Sequence, residues 1–256
     1  MTQMELVDTH CHLHDQSFFT PEQQAEAHSK ARQDGVAMLC VGTDQADSRV
    51  AVEYAQAHEG TWAIVGVHPH EAKHGVADIG VLLIEKPAKV VGVGEIGLDY
   101  FYKHSSRQQQ IAALEEQLQM AVDFDLPVSF HVREAFEDFW PIFDNFSGIR
   151  GVLHSFTDTQ ANADKALDRG LLIGINGIST FTKSAEQQAM FTGLPLSSVV
   201  LETDAPFLTP APFRGKMNMP SLVGRVAEHL AALQNVPYLD VATATTANAK
   251  RLFSIN

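Results

Sequence analysis

The sequence is poor in cysteine, in basic residues and in long apolar runs, and each shortage excludes a class of protein. Only two cysteines, Cys11 and Cys40, occur among 256 residues. They are too few for a disulfide framework and suit a reducing compartment. No apolar run approaches the roughly 20 residues that a membrane-spanning helix needs. Because nothing in the first residues reads as a secretory signal, we expect a cytoplasmic protein with no membrane partner.

The balance of charge is strongly acidic. Lys and Arg number 18 against 31 Asp and Glu, which gives a formal net charge of −13 at pH 7. Broad binding of duplex nucleic acid depends largely on basic side chains that neutralise phosphates, so this balance argues against that class. It leaves open a local site that reaches a phosphate through metal ions. The chain also carries 12 histidines, and histidines and carboxylates are common metal ligands.

Short apolar runs alternate with longer segments of helical periodicity, and no linker or low-complexity stretch divides them. We therefore predict one domain over residues 1–256. Some of the longer segments have readable ends: Thr20 begins a helix that Gly35 ends, and Thr159 begins one that Gly170 ends. The strand candidates are Glu5–Thr9, Ala37–Val41, Trp62–Val67, Val90–Gly94, Val128–His131, Gly151–His154, Leu171–Ile175 and Val199–Glu202.

This alternation predicts the fold class. Eight strands alternating with helices in about 250 residues fit an α/β protein with a (β/α)8 TIM barrel. An open doubly wound sheet has the same alternation. The glycine-rich pieces at residues 92–94 and 174–177 do not complete the fingerprint of a dinucleotide-binding sheet, which weakens that alternative.

Histidines and carboxylates follow the predicted strands, at the ends where barrel active sites are built. A lone histidine or acid at such a position is ordinarily structural. Several at one face are harder to explain in that way, because burying them together is costly unless cations pair with them. The candidate metal ligands are His10, His12, Glu95, His131, His154 and Asp204.

This ligand set allows two divalent metal ions. His10 and His12 are two residues apart in an extended strand, so both side chains can reach one ion, with Asp204 beside it. The second ion would be held by the histidines at positions 131 and 154, and Glu95 could bridge the two. Such a pair can orient a water and lower its pKa, and Asp204 is the candidate general base. The ligands suit Zn, Mn, Co or Fe and tolerate Mg less readily.

Several motifs carry a resemblance to a known family. They read Asp-Thr-His-Cys-His at residues 8–12, Gly-Val-His-Pro-His at 66–70, Gly-Glu-Ile-Gly-Leu-Asp-Tyr at 94–100, Leu-Pro-Val-Ser-Phe-His-Val-Arg at 126–133, His-Ser-Phe at 154–156 and Glu-Thr-Asp-Ala-Pro at 202–206. In this order, over most of the chain, they resemble the TatD family of metal-dependent hydrolases, a branch of the amidohydrolase-like superfamily. The resemblance implies the barrel, a pair of divalent metals and hydrolase activity.

The resemblance also implies roles for single residues. Asp204 matches the acidic ligand near the nucleophilic water. One position departs from the family, which often has Arg-Gly-Lys-x-Asn-Glu-Pro where residues 214–220 carry Met219 in place of the acid. The departure bears on substrate preference, because this loop lies near the mouth of the barrel. The ligand positions match as His10, His12 and Glu95 for the first metal, and Glu95, His131 and His154 for the second.

Several members of that family are deoxyribonucleases that trim DNA from an end. The resemblance therefore makes phosphodiester hydrolysis the leading hypothesis, with 3′-end exonuclease-like action on a DNA end or a small phosphodiester. Arginines on strand-end loops could bind phosphate oxygens through two hydrogen bonds. The candidate substrate contacts are His68, His70, Arg133, Arg214 and Lys216.

Two other functions stay open. The same activated water could hydrolyse an amide, a cyclic amide or a lactone in a small molecule, since one fold hosts many reactions. A non-catalytic scaffold that binds metal is a more remote alternative, and it predicts a degraded ligand set, whereas the six candidates are intact. No obligate protein partner is evident from the sequence.

Overall fold

The computed structural model describes residues 6–256, which form eight strands that alternate with helices. The strands lie in one parallel sheet in the order β1 to β8. This order and alternation confirm the predicted (β/α)8 class. The strands are β1 (Leu6–Cys11), β2 (Val36–Val41), β3 (Thr61–Val65), β4 (Val90–Asp99), β5 (Val128–Arg133), β6 (Gly151–Leu153), β7 (Leu172–Ile175) and β8 (Val199–Leu201).

The helices begin where the sequence supplies capping residues. At the first one, the Thr20 side chain accepts a hydrogen bond from the backbone of Gln23, whose side chain accepts one from the backbone of Thr20. Within residues 6–256, no helix is long and apolar enough to span a membrane. The helices are α1 (Pro21–Gln33), α2 (Gln45–Ala57), α3 (Ala77–Ile84), α4 (Arg107–Asp123), α5 (Phe136–Asp144), α6 (Gln160–Asp168), α7 (Ala185–Gly193), α8 (Val223–Gln234) and α9 (Tyr238–Phe253).

The chain forms two compact units. Of the described residues, the first unit holds 6–40 and 155–256, and the second unit holds 41–154. In the first unit β1 pairs with β2 on one side and meets β8 on the other, where Thr9 Oγ1 donates to the carbonyl of Leu201 at 3.1 Å. The first and last strands of the sheet are therefore neighbours, as the barrel class requires. That residues 1–256 form a single domain stays a prediction.

The predicted strands agree with the observed ones to within two residues at most ends. The first residue of the first predicted strand, Glu5, lies outside the described residues. The largest difference is at β4, where the sequence predicts an end at Gly94 and the strand continues to Asp99. Its later part, Gly-Glu-Ile-Gly-Leu-Asp, contains two glycines and two acids, a composition that does not indicate a strand. Every residue from Gly92 to Asp99 is buried, so burial overrides that composition.

Candidate metal centre

In the first unit, three of the predicted ligands come together where β1 and β8 end. Asp204 Oδ1 lies 3.8 Å from His10 Nε2 and 3.4 Å from His12 Nε2, and the two imidazole centroids are 5.1 Å apart. The backbone joins the same elements, since the N–H of Asp204 donates to the carbonyl of His10 at 2.8 Å. Two imidazoles and a carboxylate therefore converge with little solvent exposure.

The register of β1 shifts between Asp8 and Cys11, a stretch that includes His10. Asp8 pairs with Met38 and Cys11 with Cys40, so three steps along β1 match two steps along β2. The extra residue changes the direction in which the following side chains point, which is a common device next to active sites. The sequence prediction assumes strict alternation of side chains along an extended strand, and this alternation does not include the shift.

A buried carboxylate, Asp8, supports the Asp204 loop, and the sequence analysis assigned it no role. Its oxygens accept hydrogen bonds from Thr203 N at 2.8 Å and from Thr203 Oγ1 at 2.6 Å. Burial raises the pKa of Asp8 well above its ordinary value, although the bonds from Thr203 act in the opposite direction. Asn218 holds the other side of the loop by donating to the carbonyls of Thr203 and Phe207 at 2.8 and 2.6 Å.

In the second unit, Glu95 lies among three histidines. Its Oε1 is 2.8 Å from His131 Nδ1, 3.6 Å from His68 Nε2 and 3.6 Å from His154 Nε2. The Glu95 side chain is 5% exposed, so these contacts occur away from bulk water. A single carboxylate oxygen with three imidazole nitrogens around it is a natural position for a cation.

Glu95 lies in a second bulge. Val93 pairs with Val128 and Ile96 with Phe130, so β4 carries one more residue than β5 over this stretch. Beyond the bulge the two strands approach closely, and a Cβ at Gly97 would lie 1.8 Å from the carbonyl oxygen of His131. Only glycine permits this approach without a shift of the backbone.

Asp99 is the main residue that the sequence analysis missed. Its Oδ2 is 3.0 Å from His131 Nε2 and 3.1 Å from His70 Nε2, and its side chain is buried. Residues 95, 97 and 99 alternate along one strand, so Glu95 and Asp99 face the same side. A predicted strand that continued to residue 99 would have placed Asp99 on the same face as Glu95, because alternate residues of a strand share a face.

The hydrogen bonds of Asp99 and His131 change the pKa of both groups. Burial would lower the pKa of His131, but the bonds to Asp99 and Glu95 raise it to about 9. Burial would raise the pKa of Asp99, and the bonds from His131 and His70 hold it well below its ordinary value instead. In the protein without metal, His131 is therefore an imidazolium between two carboxylates.

His68 differs from the other histidines of this group. Burial lowers its pKa well below the ordinary value, so the ring is neutral at pH 7. Its Nδ1 accepts the backbone N–H of His70 at 3.2 Å, which leaves the proton of the neutral ring on Nε2. In the protein without metal, His68 therefore points an N–H donor toward Glu95, and the same N–H could donate to a substrate oxygen.

The donor sets fit divalent metal ions. Ligand atoms of His68, Glu95 and His131 lie within 4.8 Å of one another, and the His10, His12 and Asp204 group offers the same imidazole and carboxylate donors. Such clusters agree with the cofactor prediction, and the mixed nitrogen and oxygen donors do not select one metal. Of the predicted ligands, His154 has its side chain 4% exposed and lies directly after β6.

The loop after β6 is held by a second buried acid that the sequence analysis did not assign. Glu202 Oε1 accepts the backbone N–H of Ser155 at 2.7 Å and the side-chain N–H of Asn176 at 3.3 Å. Ser155 adopts a left-handed backbone with φ 50°, and Asp204 does so with φ 56°. Non-glycine residues in this conformation are uncommon and cluster at functional sites.

The predicted substrate arginines differ from most other arginines of the chain. Arg133 Cζ lies 3.9 Å from the ring centroid of Phe101, and Arg214 Cζ lies 3.4 Å from that of Phe181. Across residues 6–256 neither forms an ion pair with a carboxylate, so their charges stay available to an anion. In contrast, ion pairs with acids are formed by Arg49, Arg107, Arg150 and Arg225.

Two further positions of the Arg214–Pro220 loop lie beside an aromatic ring or in a groove. Lys216 Nζ lies 5.9 Å from the ring centroid of Phe213. Met219, the departure from the family motif, is partly buried and lines a groove that also holds Lys30, Lys216 and Met217.

Comparisons with known proteins identify the family of the chain. The family model described as TatD related DNase matches residues 7–254. The chain is 33% identical to the uncharacterized metal-dependent hydrolase YabD of Bacillus subtilis over 255 residues, covering 98% of this chain and 100% of YabD. It is 34% identical over 237 residues to the 3′-5′ ssDNA/RNA exonuclease TatD of Erwinia amylovora, with 88% of this chain and 92% of that protein covered.

Solved structures give the same relationship. The TatD homologue YjjV of Escherichia coli K12 superposes with a TM-score of 0.90 at 29% identity, covering 99% of both chains. A hydrolase of the TatD family from Entamoeba histolytica has a TM-score of 0.87 at 21% identity, also over 99% of both chains, and supports the fold. The protein therefore belongs to the TatD family of metal-dependent hydrolases.

Proposed function

We propose that this metal-dependent hydrolase cleaves phosphodiester bonds and removes nucleotides from the 3′ end of single-stranded DNA. The observation that carries the proposal is the arrangement around Glu95, whose Oε1 lies 2.8 to 3.6 Å from nitrogens of three histidines. Support comes also from the 34% identity to a relative named as an exonuclease of single-stranded DNA and RNA.

We further propose that the centre holds two divalent ions. In a barrel of this class the carboxyl ends of the strands form the active face, and all the ligands lie in or just after strands. Divalent ions at such a centre lower the pKa of a water and neutralise charge on a phosphate. The proposed ligands are His10, His12, Glu95, His131, His154 and Asp204.

Asp204 is the proposed general base. Its carboxylate is 14% exposed and lies beside the two histidines of β1, so it can reach a water at the rim of the cluster. The bonds between Asp8 and Thr203 and those from Asn218 hold its loop. A base fixed in this way can accept the proton of the attacking water without first reorganising.

Arg133 and Arg214 are the proposed anchors of the phosphate. Neither charge is used in an ion pair within residues 6–256, and each guanidinium is held against an aromatic ring. Arginine binds phosphate through a planar fork of donors. We also assign His68 a substrate contact, because its Nε2 proton points into the Glu95 group.

The acidic net charge of −13 limits the extent of nucleic acid that the protein can bind. Contacts with many phosphates would need many more free basic side chains. We therefore propose that a strand end is bound, rather than a long stretch of duplex.

The proposal is tested with a single-stranded oligonucleotide that carries a 5′ fluorophore, incubated with Mn²⁺ and with Mg²⁺. The wild type should shorten it from the 3′ end. Glu95→Gln keeps the size of the side chain but removes its charge. Loss of a residue that only supports a metal ligand lowers activity about 10–100-fold. Because Glu95 is a proposed ligand itself, the activity of Glu95→Gln should fall by more than this. Glu116→Gln changes an exposed acid of α4 and serves as the matched control.

Equal activity of wild type and Glu95→Gln would overturn the assignment. Hydrolysis of small amides or lactones by the wild type, with no product from any phosphodiester, would favour the other class of bond. Loss of activity in the Glu116→Gln control would show that the assay responds to surface charge instead of to the site.

We also propose a cytoplasmic location. The thiols of Cys11 and Cys40 are free and buried, and proteins of oxidising compartments more often carry disulfides.

A further inference from the structure

Exposed aromatic side chains are few in the described part of the chain, and two of them are consecutive. Phe101 is 48% exposed and Tyr102 is 43% exposed, directly after the buried end of β4. A contiguous exposed apolar patch on a soluble protein often marks a binding site. The other aromatic side chains of comparable exposure are Phe18, Phe207 and Tyr238.

The two aromatic residues are held by the backbone. The N–H groups of Phe101 and Tyr102 donate to Asp99 Oδ1 at 3.0 and 2.9 Å, and the rings meet edge to face with centroids 4.7 Å apart. A surface ordered in the free protein costs little further entropy when a ligand binds. The rings are therefore presented to solvent in a defined arrangement.

A free positive charge lies against the same rings. Arg133 Cζ is 3.9 Å from the centroid of Phe101 and 5.0 Å from that of Tyr102. Arg133 is exposed and forms no ion pair with a carboxylate of residues 6–256. The patch therefore combines flat apolar faces with a cation, which are the two elements that single-stranded nucleic acid requires of its binding surface.

Asp99 also joins this patch to the histidines of the second unit. One of its oxygens accepts from the aromatic loop, and the other lies 3.0 Å from His131 Nε2. His70, which contacts the same oxygen, lies with its ring centroid 5.4 Å from that of Tyr102. A base on these rings would therefore be positioned relative to the proposed metal ligands through a single buried carboxylate.

We propose that Phe101, Tyr102 and Arg133 form a base-stacking subsite that holds an unpaired nucleobase of the substrate while the guanidinium contacts its phosphate. The inference rests on the proposed function, because the ligand is the single strand whose end is cleaved. It accounts for a nuclease with an acidic surface: stacking supplies affinity that does not depend on many basic residues.

The test measures binding apart from cleavage. An oligonucleotide with 2-aminopurine at its 3′-terminal base is titrated with the protein in the presence of a chelator, and quenching of the fluorescence reports stacking. The double variant Phe101→Ala/Tyr102→Ala should bind about 5- to 150-fold more weakly, the range expected for loss of a stacked base. Phe101→Trp should retain the quenching, and Tyr238→Ala is the control on another exposed aromatic.

A strand with an abasic residue at its 3′ end and a fluorophore at its 5′ end, followed by fluorescence anisotropy, gives a second measurement. The abasic residue should weaken binding to the wild type and have little effect on the double variant, because the two changes remove the same contact. Absence of quenching with the wild type, or equal binding by wild type and double variant, would overturn the subsite. Quenching without any cleavage after metal is added would support the subsite and overturn the nuclease proposal. Cleavage without quenching would support the nuclease proposal and overturn the subsite.

Discussion

Asp99 and His131 are joined by a hydrogen bond of 3.0 Å between Oδ2 and Nε2, and the other nitrogen of the same ring lies 2.8 Å from Glu95. The ring is thus held on both sides by buried carboxylates. In metal centres, an outer carboxylate of this kind orients the ligand and strengthens it as a base. Asp99 also binds the backbone of the aromatic loop, so one side chain positions both the ligand and the exposed rings.

The first prediction concerns Asp99→Asn. Asparagine can still accept from the backbone of Phe101 and Tyr102, but its amide group cannot accept from His131. We expect metal affinity to fall about 10–100-fold, the usual cost of losing an outer partner of a ligand. Titration of the metal-free protein with Mn²⁺ measures this. Asp125→Asn, at a side chain that is 93% exposed and pairs with Arg150, should leave the affinity unchanged.

The second prediction concerns pH. The pKa of His131 is raised to about 9 in the protein without metal, so below that pH a metal must displace a proton to bind. The apparent affinity should therefore rise with pH, by about tenfold per unit for one displaced proton between about pH 7 and pH 8.5.

Metal titrations at several pH values across this range measure the slope. Asp99→Asn removes one of the two bonds that raise the pKa of His131, so its slope should be shallower. An affinity that does not change with pH in the wild type would contradict the assignment of His131 as a ligand.

The third prediction concerns metal removal. A ligand present at 100 times its dissociation constant stabilises the folded state by about 2.7 kcal/mol. For a chain of this size, 1 kcal/mol corresponds to about 2–4 °C in the midpoint of thermal unfolding. Chelation should thus lower the midpoint of the metal-loaded protein by about 5–11 °C. Glu95→Gln should lose most of this response, and a full response in that variant would place the metal elsewhere.

The fourth prediction concerns the close approach of β4 and β5. A Cβ at Gly97 would lie 1.8 Å from the carbonyl oxygen of His131, so Gly97→Ala forces the strands apart. We expect a loss of about 1–3 kcal/mol in the free energy of unfolding and a loss of activity, because His131 moves with β5.

Gly193→Ala is the matched control, since a Cβ there meets nothing within 4 Å at the end of α7. Chemical denaturation of the two variants gives the comparison. Equal stability of Gly97→Ala and the wild type would show that β5 can shift without cost.

Much of the fold follows from local sequence. The alternation of apolar strands with capped helices predicts an α/β fold, because burial on both faces requires nearly continuous apolar strands and the caps mark the helix ends. The count of eight strands and the incomplete dinucleotide fingerprint favoured the barrel over an open sheet. The ends of these strands also located His10, His12, Glu95, His131, His154 and Asp204 as candidates. Their assignment as ligands remains a proposal.

What the sequence alone determined is the alternation of strands with helices and the helix ends, and it predicts the side of the barrel on which the chemistry would lie. Only the tertiary structure decided how the side chains are supported. The register shifts in the stretches of β1 and β4 that contain His10 and Glu95 depend on pairing with a neighbouring strand. The roles of Asp8, Asp99 and Glu202 depend on partners distant in the chain, such as Thr203, His131 and Ser155. Such contacts carry no local pattern, because a buried acid reads the same in sequence whether it binds a metal, a histidine or the backbone of a loop.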